Sequence, residues 1–136
     1  MKNYSESTEK IETISAIIWI DDEGILHLKI KDGAEIDLQE MKIIVNVYKK
    51  LGCATNKRLQ LIEGSNYFTL DEQARNHSLT VRHKYLIATA IINNSLVVAI
   101  LYEFIRDATR YPPIEIFKTR SEALDWLRKF KIEEKN

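Results

Sequence analysis

The order of apolar runs along the chain constrains its fold more than any single motif does. Two Ile-rich runs, residues 14–20 and 25–30, bracket the acidic turn Asp21-Asp22-Glu23-Gly24. β-Favouring runs on either side of a turn that ends in glycine predict a hairpin. An amphipathic segment follows, with Leu38, Met41, Ile44, Val45, Tyr48 and Leu51 at helical spacing and Gly52 as its stop. Beyond it, apolar runs at 59–62, 85–92 and 114–117 alternate with helical patterns. The string reads β-β-α-β-α-β-α-β-α. Strands that read as apolar runs, separated by amphipathic helices, are the pattern of parallel strands covered on both faces. The expected architecture is a single α/β domain over residues 1–136: a mixed five-stranded sheet opened by the hairpin, with about four helices. The first ten residues and 133–136 are charged or polar and are expected to be flexible.

Three helix starts are marked by the same device. Asp37 precedes Glu40, Thr69 precedes Glu72 and Thr119 precedes Glu122, each at capping-box spacing. Ile36 and Met41 stand where a hydrophobic staple would place them. Residues 71–78 are mostly polar, so the helix after Thr69 is expected to be short and solvent-facing. In residues 94–107, Val97, Ile100, Leu101 and Phe104 form an inner stripe, and Val98 and Ile105 widen it. An apolar arc of that width predicts contact with a neighbouring helix or with a protein partner. Val98, Tyr102 and Ile105 are therefore the candidate interface, with a homodimer as one outcome.

Composition removes several function classes. Twenty basic residues oppose twenty acidic ones, which argues against nucleic acid as the main partner, since that binding needs clustered excess cations. Cys53 is the only cysteine, so neither an intramolecular disulfide nor a thiolate metal cage is available. The longest apolar run, 96–101, is far below the roughly 20 residues of a membrane span. The polar N-terminus lacks the core of a secretory signal, which makes the cytoplasm the expected location. His77 and His83 are not spaced as a metal pair, and no metal or cofactor is expected. With four glycines and no nucleophile elbow, nothing points to an enzyme. His27 is expected on a half-exposed strand face. Arg75, His77, Arg82, His83 and Lys84 form the densest basic stretch, read either as a solvated connection or as a surface for an anionic ligand or acidic partner.

In open α/β sheets, ligands dock outside the carboxyl ends of the strands. Two loops are expected at that edge, one holding Glu63, Ser65 and Asn66 and the other Asn93, Asn94 and Ser95. They form the candidate binding surface, although helix capping and turn formation also account for these residue types.

The closing segment carries a resemblance. Ile116-Phe117, Thr119, Ser121-Glu122-Ala123-Leu124 and Trp126-Leu127 look like the C-terminal signature of SpoIIAA-like proteins, and the element order is similar to that fold, shared by STAS domains and related CRAL-TRIO-type domains. The resemblance spans roughly residues 14–130. It implies a non-catalytic regulatory module of the anti-sigma-factor-antagonist type, acting through protein partners. In that family a phosphorylatable serine follows the third strand, and the matching position is Ser65. No glycine follows Ser65 here, and the helix is expected to begin later, at Thr69. The CRAL-TRIO likeness implies a different function, the binding of a small apolar or amphiphilic ligand. That reading requires a cavity between the broad helix and the sheet, lined by Leu101, Tyr102 and Phe104.

Overall fold

The computed structural model describes residues 9–64, 67–93 and 111–135. In chain order its elements are β1 (Ile11–Glu12), β2 (Ala16–Ile20), β3 (Leu26–Ile30), β4 (Ala34–Ile36), α1 (Leu38–Lys50), β5 (Arg58–Glu63), β6 (Phe68–Leu70), α2 (Glu72–Val81), a 3-10 turn (Arg82–Lys84), β7 (Leu86–Ile92), β8 (Ile114–Phe117) and α3 (Arg120–Lys135). The main sheet runs β1-β2-β3-β5-β7-β8, antiparallel through β3 and parallel thereafter. The α/β character, the opening hairpin and the alternating order agree with the expectation. The main sheet has six strands rather than five, because the two-residue β1 extends the hairpin. A separate parallel pair, β4 with β6, was not anticipated. Three α-helices lie among the described residues, and the helix expected at 94–107 lies outside them.

The hairpin turn follows from Gly24. Its φ is +85°, a region other residues avoid, and its N–H donates to Asp21 O at 2.9 Å while Asp21 N–H donates to Ile25 O at 3.0 Å. A three-residue loop of this kind lets the strands twist correctly. α1 starts at Asp37, whose carboxylate accepts from Glu40 N–H at 2.8 Å. Thr119 likewise accepts from Glu122 N–H at 3.2 Å and caps α3. The second start differs from expectation. Asp71, not Thr69, caps α2 by accepting from Ala74 N–H at 2.8 Å, and Thr69 lies in β6.

The sheet is covered on both faces. On one face Ala16, Ile18, Leu26, Leu28 and Ile30 pack with Ile44, Val45, Val47 and Tyr48 of α1 and with Ala74 of α2. On the other, Ile25, Leu59, Leu61, Ala88 and Ala90 pack with Ala123 and Leu127 of α3. Alternation along β5 sorts its side chains: Leu59 and Leu61 face α3, and Gln60 and Ile62 face α1 and α2.

Candidate functional site

Gln60 and Thr89 are polar residues in the middle of apolar strands, and both are almost fully buried. The β5–β7 register sets them side by side, and Thr89 in turn stands beside Ile114 of β8. Burying such groups is tolerable only if they are hydrogen-bonded. Here they form one chain with Tyr48 and Arg82. Arg82 Nη2 donates to Thr89 Oγ1 at 3.5 Å, Thr89 Oγ1 donates to Gln60 Oε1 at 3.1 Å, and Gln60 Nε2 donates to Tyr48 Oη. A guanidinium can only donate, so Thr89 Oγ1 accepts from Arg82; with its own proton on the Gln60 carbonyl, the Gln60 amide nitrogen faces Tyr48.

This chain borders a cavity of about 140 Å³ between the sheet and the α1–α2 layer. Leu28, Ile62 and Ile91 form its sheet side, Ile44 and Tyr48 come from α1, and Leu79 comes from α2. Phe68 and Leu70 of the small β4–β6 pair contribute as well. The volume is close to that of an engineered cavity of roughly 150 Å³ that stays dry and binds benzene.

Among the described lining residues only Arg75 and Arg82 are charged. With Ser78 they follow one side of α2 into the 3-10 turn at spacings of three and four, and all three reach the cavity. Arg82 is 5% exposed, and its other acceptors are the carbonyls of Pro112 at 2.8 Å and Pro113 at 3.4 Å. Burial pulls its guanidinium down to about 10, so it remains a cation at neutral pH. No carboxylate pairs with Arg75 or Arg82 among the described residues. Burial also pushes the Tyr48 phenol up, so that it stays protonated.

The basic stretch is thus no uniform solvated connection. His83 and Lys84 are exposed, whereas Arg82 turns inward. Helical spacing from Arg75 through Ser78 to Arg82, continuous with buried Ala74, carried that information. The polar interruptions Gln60 and Thr89 inside apolar runs were the second signal that sequence reasoning passed over.

At the carboxyl edge of the strands, Gly64 N–H donates to Ile92 O at 3.3 Å and Asn93 N–H donates to Phe117 O at 3.1 Å. Gly64 and Asn93, the last described residues before the two loops continue, therefore stand at the same edge of the sheet. A Cβ on Gly64 would lie 2.5 Å from Asn93 Nδ2 and 3.3 Å from Phe68. Glu63 pairs with Arg120 of α3 at 2.6 Å. Ser65, Asn66, Asn94, Ser95, Val98, Leu101, Tyr102, Phe104 and Ile105 lie outside the described residues. Among the described residues, the cavity is lined by the sheet, α1, α2 and the β4–β6 pair.

His27 departs from expectation. It is 5% exposed, with Nε2 at 2.7 Å from Asp21 Oδ2 and its ring stacked on Trp19 at 4.7 Å. The β2–β3 register pairs Trp19 with His27, and the aromatic stack covers the strand face that sequence alternation leaves open. Cys53 is fully buried, and burial pushes its thiol up. No group of side chains with metal-ligand character is present among the described residues. No helix among them is long and apolar enough to cross a membrane.

Comparison with known proteins places the fold. A family model described as a domain of unknown function (DUF7793) matches residues 18–131. Among curated proteins, no match to the sequence was found. The structure is similar to that of an uncharacterized protein of the DUF3478 family from Shewanella loihica PV-4, described as having a SpoIIAA-like fold. The TM-score is 0.58 at 14% identity, covering 88% of this chain and 91% of that one.

Proposed function

The chain belongs to the DUF7793 family, and from its SpoIIAA-like fold and the cavity between its sheet and helices we propose that it is a non-catalytic module that binds a small amphiphilic molecule. The observation that carries this reading is the cavity itself, an apolar space bordered at one side by a built polar chain. Interiors normally pack densely, and a space of this volume between the sheet and the helices forfeits the contacts that would cross it. A space left open beside an oriented network is what a ligand site requires. Burial raises the Cys53 thiol, and the described lining residues include no carboxylate. Native mass spectrometry of protein purified from its own host tests the reading. A non-covalent mass excess that disappears on denaturation is expected, and a bare mass would count against a tightly held ligand.

A second reading, regulation through a protein partner in the manner of STAS domains, draws support from the carboxyl edge. There Gly64 lies against Asn93, and Tyr67, three residues further along the chain from Gly64, is 69% exposed. On this reading Tyr67→Ala abolishes capture of a partner without changing the melting temperature. Equal capture by the variant would remove Tyr67 from the surface.

A further inference from the structure

The hydrogen-bond chain along the cavity has a direction, and the direction selects the ligand. Every link runs outward from Arg82: to Thr89, to Gln60, to Tyr48. Tyr48 Oη spends its acceptor role on Gln60, which leaves its own O–H free to donate, and no acceptor for it exists among the described residues. Arg82 has five N–H donors and meets three neutral acceptors, Thr89 Oγ1 and the carbonyls of Pro112 and Pro113. Arg75, half-buried two turns earlier on the same side, brings a second guanidinium with no ion-pair partner among the described residues. Among the described lining residues both charged groups are therefore cationic donors, and apart from Ser78, Tyr85 and the hydrogen-bond chain itself that lining is apolar. A buried cation without a counter-charge is costly unless an anion joins it.

We infer that the cavity takes a small carboxylate whose apolar body is about the size of a benzene ring, with its carboxylate received by the donors of Arg82 and Tyr48. This rests on the cavity being a ligand site, and it adds the charge and size of the ligand. A guanidinium donates as a fork that matches the two oxygens of a carboxylate, and the Tyr48 O–H adds a further donor on the cavity wall. The volume of about 140 Å³ limits the body to a small ring or a short branched chain rather than a long acyl tail.

Titration calorimetry with benzoate, benzyl alcohol and toluene on the intact protein at pH 7 separates the two levels of the claim. Charge-assisted bonds in a buried site should favour benzoate by about tenfold or more over both neutral probes. Toluene or benzyl alcohol binding as tightly as benzoate would overturn the carboxylate and leave the cavity reading standing. No binding by any of the three would bring down both. Two variants locate the effect. Tyr48→Phe keeps the ring and should cut the benzoate preference severalfold while leaving toluene affinity unchanged. Arg75→Gln, at a half-buried position that folding tolerates more easily than Arg82, should weaken benzoate alone. Loss of toluene and benzoate in equal measure in either variant would show a packing role and contradict the assignment.

Discussion

Glu40 is a buried carboxylate whose role is to hold backbone. Its Oε2 accepts from Thr13 Oγ1 at 2.7 Å, from Ser15 N–H at 3.2 Å and from Ser15 Oγ, tying the bend before β2 to the first turn of α1. Capping-box spacing predicts that this side chain reaches back to its own helix cap. Three donors from the neighbouring bend take it instead. Removing it leaves buried donors unsatisfied, so Glu40→Ala should cost about 2–4 kcal/mol in denaturant unfolding. A cost near zero would mean water replaces the carboxylate. Asp21 makes a pH-dependent contribution. Partial burial is the largest single influence on its carboxyl and raises it, but the bonds from His27 and from the Ile25 and Glu23 N–H groups together hold it below its ordinary value of 3.8. A depressed folded pKa contributes stability that is present above pH 3.8 and lost as pH falls through the lower folded value. The gap in unfolding free energy between wild type and Asp21→Asn should be full at pH 6 and shrink below pH 4. A gap independent of pH would assign the loss to packing.

The elements divide by how much of their signal was local. β2, β3, β5, β7 and β8 were legible because each carries its own apolar run, and α1 and α3 because stripe, cap and stop agree. β4 and β6 were not. Each is three residues long, and each exists through pairing with the other, which no local pattern encodes. The start of α2 was misplaced because Thr69 matches the capping-box spacing, whereas Asp71 caps without a partner acid three residues on. At the site, the neighbouring strand ends at Gly64 and Asn93 were legible from strand order, but the described lining of the cavity was not. It depends on which faces of α1 and α2 oppose Gln60 and Thr89, a matter of register. For α3 the structure distinguishes burial from surface pairing. Leu127 is fully buried against the sheet, so Leu127→Ala should destabilise by about 3 kcal/mol. Neighbouring Arg128 pairs with Glu23 at 2.7 Å on the exposed face, and Arg128→Ala should cost less than about 1 kcal/mol. Comparable losses in the two variants would contradict this division of labour.

At the scale of the whole molecule, the two faces of the sheet do different work. The α3 face packs Leu59, Leu61, Ala88 and Ala90 against Ala123 and Leu127 of α3. The α1–α2 face leaves a cavity beside a hydrogen-bond chain that starts from a buried cation. One face supplies stability, and the other forgoes some of it for a site. Filling the space should reverse that balance: Leu79→Phe is expected to raise the melting temperature and to abolish binding of toluene and benzoate together. An unchanged affinity would place the bound molecules elsewhere. The most direct test is a crystal structure under xenon pressure. A xenon peak enclosed by Leu28, Ile44, Ile62 and Leu79 is expected. Absence of density there, with these side chains interlocked across the space, would contradict it.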